Sequence, residues 1–148
     1  TPLYSSAASD VYKRQAVSSG IKDPEVEGVE LRIQSPLKAT VKDVLWAEAL
    51  ILGTPENFGY MSGALKYFFD RIYHPCLEKT QGLPYMLFVN AGNDGNGAVL
   101  SITRIVTGLR WREIAEPIVV TGEVKQKHLD NCREMGMMFA LGLETGVY

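Results

Sequence analysis

The sequence predicts an α/β fold: a doubly wound parallel sheet with helices on both faces. Three observations carry that reading. Ala49-Leu50-Ile51-Leu52 and Tyr85-Met86-Leu87-Phe88-Val89 are short runs that are apolar throughout, as strands covered on both faces must be. A loop rich in Gly, Pro or Asn follows each run, and an amphipathic helix follows each loop. Strand and helix then alternate to the end of the chain, without a long repeat or a low-complexity tract.

The elements follow in order. Residues 1–15 hold no strand-like apolar run. Ser5–Gln15 resembles translated adapter sequence of the kind found at the edges of assembled fragments. Residues 1–15 are therefore expected to be a non-native leader, and 16–148 the domain. The alternative is an ordinary helix capped by Ser9, with Ala8, Val11, Tyr12 and Ala16 along one side. Val29-Glu30-Leu31-Arg32-Ile33 alternates apolar and charged residues, which suits a half-exposed edge strand. Thr40 and Asp43 stand in capping-box positions for a helix with Val41, Val44 and Leu45 inward. After the strand Ala49–Leu52, Ser62 caps a helix whose inward set is Leu65, Phe68, Phe69 and Ile72, and which Pro75 should stop. Gly82-Leu83-Pro84 turns the chain into Tyr85–Val89. Ala98, Ile102, Ile105, Val106 and Leu109 mark the next helix, ending near Gly108. Ile118-Val119-Val120 is the last strand, closed by Thr121-Gly122. A terminal helix runs from Gln126 to about Leu143, with Leu129, Cys132, Met135, Phe139 and Leu143 on one stripe.

In a sheet of order 2-1-3-4-5, an edge strand met first is strand two. Strand one and the phosphate-type loop after it should precede Val29, and no segment here supplies them. The domain is thus expected to be incomplete at its amino end. Val29–Ile33 should then either close up against Ala49–Leu52 or be poorly held.

Composition narrows the function classes. With 148 residues, 46% hydrophobic and 22% charged, the chain can bury the core of one globular domain. A net charge of -2 gives no basis for binding nucleic acid or an anionic membrane. No apolar run approaches the roughly 20 residues of a membrane helix. Cys76 and Cys132 lack metal-type spacing and read as free buried thiols suited to a reducing compartment. With no secretory signal, the expected location is the cytoplasm.

Ligands in such sheets bind beyond the carboxyl ends of the strands. Two loops lie there, Thr54–Met61 and Asn90–Gly97, and right-handed crossovers should bring them to one edge. Phe58 and Met61 offer apolar contact to a flat ring, or else pack as core beneath the loop. Gly59 lets backbone come close. Asn93-Asp94-Gly95 could supply backbone N–H groups to electron-rich oxygens, or be a simple turn. Glu56 reads as a solvated or loop-bonding carboxylate. His74 reads as a helix-end residue, and His128 lies on a polar helix face. Trp46 and Trp111 read as packing residues. No side chain is nominated as catalytic, and no metal site is expected.

Thr54-Pro55-Glu56-Asn57-Phe58-Gly59-Tyr60-Met61-Ser62-Gly63-Ala64-Leu65-Lys66, with Asp70-Arg71 ending the helix, resembles the second flavin loop of flavodoxin-fold NAD(P)H-dependent reductases. That group includes FMN reductases and NAD(P)H:quinone reductases. Asn90–Gly95 is similar to their third flavin loop. The resemblance covers about Val29 to the end of the chain. It implies a flavodoxin-like fold binding FMN noncovalently, with NAD(P)H as co-substrate. Thr54, Pro55, Asn57, Phe58, Gly59, Tyr60 and Met61 would line the isoalloxazine. Asn90, Gly92, Asn93, Asp94 and Gly95 would meet its pyrimidine edge. The family's Ser/Thr/Gly phosphate loop has no counterpart, because Ser18-Ser19-Gly20 lies on the wrong side of the first helix. The implied activity passes hydride from NAD(P)H through FMN to a quinone, free flavin or similar small-molecule acceptor. The alternatives are a flavodoxin-type electron carrier, or an inactive fragment that binds FMN weakly. A related reductase completes its site across a subunit interface, so a homo-oligomer is compatible, with Tyr60, Tyr67 and Tyr73 either a contributing face or half-buried rims.

Overall fold

Buried apolar strands and one-sided helices fold into three layers, helix–sheet–helix. The computed structural model describes the backbone of residues 5–148 and the side chains from Tyr12 onward. Helix α1 (Ser5–Ile21) crosses position 15 without a break and does not start at Ser9. Residues 1–4 and the side chains of Ala8 and Val11 lie outside the described set. Tyr12 points to solvent, while Lys13, Val17 and Ile21 are buried. Helix α2 (Val41–Trp46) has the expected capping box between Thr40 and Asp43. The bonds from Thr40 to the Asp43 carboxylate hold it below the usual carboxylate range. Val44 is buried, but Leu45 is exposed.

Strand β1 (Leu50–Asn57) turns directly into the two-residue β2 (Tyr60–Met61). Helix α3 (Gly63–Cys76) is capped by Ser62, whose hydroxyl accepts from Leu65 N at 3.2 Å. Leu65, Phe68, Phe69 and Ile72 are buried as the spacing predicts, and the helix runs one residue past Pro75. Strand β3 (Pro84–Ala91) is buried along its whole length. Helix α4 (Asn96–Gly108), the short β4 (Arg112–Glu113), β5 (Ile118–Thr121) and α5 (Gln126–Glu144) complete the order.

Strand β3 is central. It pairs in parallel with β1 over Leu50–Pro55 on one side, and with β4 and then β5 on the other. The adjacent run β1-β3-β5 is the 3-4-5 half of the expected sheet. One core joins β1 and β3 to α2, α3 and α4. A second joins the opposite face of β3 to α1 and α5. Helices therefore cover both faces, and the sheet is doubly wound.

The edge strand expected at Val29–Ile33 does not form. Residues 29–35 run without regular structure, and β3 is the only described strand pairing with Leu50–Pro55. A cavity of about 570 Å³ separates this segment from β1, lined by Leu31, Ile33, Leu50, Leu52, Phe68 and Phe88 among others. The segment is held instead by side chains. Val29 and Leu31 lean on the α1/α5 core. Arg32 stacks on Trp46 at 3.7 Å and pairs with Asp43 at 3.8 Å. These anchors hold the segment across the cavity from β1, where its backbone finds no ladder partner.

Candidate functional site

The stretch Thr54–Met61, expected as a loop, is mostly hairpin. Glu56 faces Met61 and Asn57 faces Tyr60 in an antiparallel ladder. Only Phe58 and Gly59 form the turn, with φ of 53° and 69°. A two-residue hairpin turn of type I′ requires positive φ at both central positions. Glycine meets that freely, whereas phenylalanine does so at a cost. The Phe58 ring is also fully exposed, so it is not core packing.

Thr54 closes the base of the hairpin. Its hydroxyl accepts from Ser62 N at 2.9 Å and donates to Pro55 O at 2.8 Å. Thr54 and Met61 are buried at 0% and 2% exposure. Asn57, Phe58, Gly59 and Tyr60 project from the rim.

The second loop leaves β3 at Ala91. Gly92, Asn93 and Asp94 are exposed, and Gly95 is buried at the start of α4 with φ of 76°. Asp94 Oδ1 accepts from Asn96 N at 2.9 Å, the turn geometry that Asn93-Asp94-Gly95 could take. Glu56 reaches across from the hairpin, its Oε2 accepting from Ala98 N at 3.1 Å. Two N–H groups of the first α4 turn are thereby taken by the chain's own carboxylates. The anion-receiving nest is reduced to the exposed loop itself.

The two loops meet. A Cβ on Gly97 would overlap the carbonyl of Gly59, so the hairpin turn rests directly on the start of α4. Met61 N donates to Ser101 Oγ at 3.2 Å. Asn90 stands apart from this contact. It is registered with Pro55 and alternates with Val89, so it faces the α1/α5 side of the sheet. It is 8% exposed, and its Oδ1 has no hydrogen-bond partner among the described residues. The expected residues thus share one sheet edge but divide by direction. Asn57–Tyr60 and Gly92–Asp94 face out, Thr54, Met61 and Gly95 are buried, and Asn90 lies on the other face.

Other candidates settle into structural work. His128 Nδ1 accepts from Lys125 N at 2.9 Å. Partial burial, then Lys127, Lys13 and Lys125, hold it below the usual histidine range. His74 sits in the last turn of α3, edge-on to Tyr73. Trp111 is buried and donates to Thr80 Oγ1 at 2.8 Å. Trp46 is exposed beneath Arg32 rather than packed in a core. Cys76 and Cys132 are buried free thiols, pushed up by burial. Tyr60 and Tyr67 are exposed, but Tyr73 is half-buried against Gly108. A groove of about 670 Å³ lies at the amino ends of the strands, lined by Lys79–Pro84 and Arg112. That is the end opposite to where open α/β sheets take ligands.

Sequence reasoning nominated neither Glu56 nor Ser101 for the site. Glu56 and Ala98 stand 42 positions apart, so no local pattern links them.

Comparison with known proteins agrees with this architecture. A family profile described as NADPH-dependent FMN reductase matches residues 16–126. A flavodoxin from Aquifex aeolicus is 34% identical over 84 residues, 57% of this chain and 45% of that protein. The chain thus spans under half the length of that curated relative. A flavodoxin structure from the domain Archaea superposes with a TM-score of 0.76 at 18% identity, covering 95% of this chain and 94% of that one. Rubredoxin oxygen:oxidoreductase from Desulfovibrio gigas superposes with a TM-score of 0.77 at 15% identity, covering 94% of this chain and 34% of that one. The two structures establish a flavodoxin-like fold. Among the described residues, no helix is long and apolar enough to cross a membrane.

Proposed function

Since the chain belongs to the NADPH-dependent FMN reductase family, we propose that it binds FMN at the rim formed by its two strand-end loops and acts as an NAD(P)H-dependent flavin oxidoreductase. When bound, FMN supplies two-electron redox chemistry, drawing on NAD(P)H and serving a quinone, free flavin or similar small acceptor. The observation that carries this reading is the direct seating of the Gly59 turn on the start of α4. It joins two irregular segments into one ligand-facing edge.

The residues fit the ring of FMN. Phe58 and Tyr60 offer apolar surface beside the Asn57 amide. Gly92, with open space around its Cα, lets a ligand approach backbone. Among the described residues no donor meets the buried Asn90 Oδ1, which lies on the α1/α5 face behind this rim. Thr54, Pro55 and Met61 form the supporting base, and Asn93, Asp94 and Gly95 the second wall. Ser18-Ser19-Gly20 is embedded in α1 and forms no phosphate loop. No side chain is assigned a proton transfer. Residence in the cytoplasm, suited to the free thiols, belongs to the same proposal.

Titrating the purified chain into FMN tests the first step. Quenching of flavin fluorescence is expected, and unchanged fluorescence would remove the reading. The likeness to flavodoxins favours a second reading, an electron carrier. Lys and Arg number 15 against 17 Asp and Glu, which gives little long-range steering toward a protein partner. Flavin-loaded protein that oxidises NADPH with no partner added supports the reductase. Oxidation only through a partner supports the carrier.

A further inference from the structure

We propose that Glu56 and Ser101 are positioning residues that clasp the hairpin to α4, so that the two loops of the site move as one body. The consequence for the cofactor rests on the flavin reading above, but the clasp itself does not.

The bonds form a closed circuit. Glu56 and Met61 face each other across the hairpin ladder. The Glu56 carboxylate accepts from Ala98 N at 3.1 Å. On the opposite strand, Met61 N donates to Ser101 Oγ at 3.2 Å, and that hydroxyl donates to Ala98 O at 2.8 Å. Both strands of the hairpin are therefore tied to the first turns of α4. One tie would leave a hinge, whereas two on facing strands remove the freedom to twist.

Each end of the circuit has a local cause. Gly95 at the N-cap has no side chain, so the first N–H groups of α4 need outside acceptors. Asp94 meets Asn96, and Glu56 meets Ala98. The helix dipole favours a carboxylate there. Ser101 is buried and Glu56 half-buried, so water competes less for these bonds than at an open surface. Gly97 completes the seat by leaving room for the Gly59 carbonyl.

Amide hydrogen exchange on the flavin-free protein tests the clasp without invoking FMN. In Glu56→Ala, the Met61 and Ala98 amides should exchange about tenfold faster, while Val89 in the central strand keeps its rate. Glu56→Gln, whose amide oxygen still accepts, should stay within about twofold of wild type. Ser101→Ala should speed Met61 similarly, and the double variant should fall short of the product of the singles, because either change opens the same circuit. With FMN added, Glu56→Ala should weaken binding about tenfold, and Glu56→Gln should rescue it. Unchanged Met61 exchange in Glu56→Ala would overturn the proposal. So would Gln behaving like Ala, or Val89 accelerating as much as Met61. If wild-type protein leaves FMN fluorescence unchanged, the flavin reading fails alone, and the exchange rates still decide the clasp.

Discussion

Phe58 combines two costs at one position: a left-handed backbone and a large apolar ring in water. Strain of this kind persists where function requires it and the surroundings enforce it. Phe58→Asn keeps the turn with a residue that accepts positive φ. It should stabilise the flavin-free protein by about 1 kcal/mol in a denaturant melt and weaken FMN binding in a fluorescence titration. A variant that loses binding without gaining stability would show that the turn is unstrained. The turn itself was legible from Gly59. Its narrowness was not, because Thr54-Pro55-Glu56-Asn57 carries no strand signal and Pro disfavours sheet interiors. Glu56 and Asn57 pair with Met61 and Tyr60, and Thr54 ties the base by accepting from Ser62 N.

At the scale of elements, helix caps and stripes were readable because they are local. Thr40, Asp43 and Ser62 cap as their spacing implies, and the inward sets of α3 and α4 are nearly as expected. The crossing of α1 and α5 was not readable. A Cβ on Gly20 would overlap the Arg133 carbonyl, and one on Gly136 the Val17 carbonyl. By helix propensity alone, Gly136→Ala would stabilise α5 by about 1 kcal/mol. The contact reverses the sign, and a net loss of roughly 1–3 kcal/mol is expected from overpacking in a thermal melt. An increase in melting temperature would mean the helices are not in contact there. Strand β3 supplies a second test. Tyr85 is 3% exposed beside Trp111, and burial pushes its hydroxyl up to about 12. The folded state then holds a proton that the unfolded state releases near 10. This contribution is complete below pH 10 and falls away as pH rises toward 12. Tyr85→Phe should flatten that part of a stability–pH curve, and an unchanged slope would place the titration elsewhere.

Across the whole molecule, the sheet is asymmetric. Strand β3 is paired on both sides, whereas Leu50–Pro55 of β1 faces a cavity on its other edge. Hydrogen exchange should therefore alternate along β1, with slow amides toward β3 and fast ones toward the cavity, and stay uniformly slow over Phe88–Ala91. Uniform protection along β1 would mean that another strand covers that edge. The sequence alone determined the α/β class, the run of three parallel strands, most helix bounds, and the two strand-end loops proposed as the site. Those features follow from hydrophobic period, caps and turns, which act over a few residues. Tertiary structure decided the rest. Val29–Ile33 has a strand's alternation, but a strand exists only where a partner's backbone stands within hydrogen-bonding distance, and here a cavity intervenes. Glu56 became a clasp only because folding carried Ala98 to it across 42 positions. Pairing and capping between distant segments are properties of proximity, and proximity is set by the packed whole.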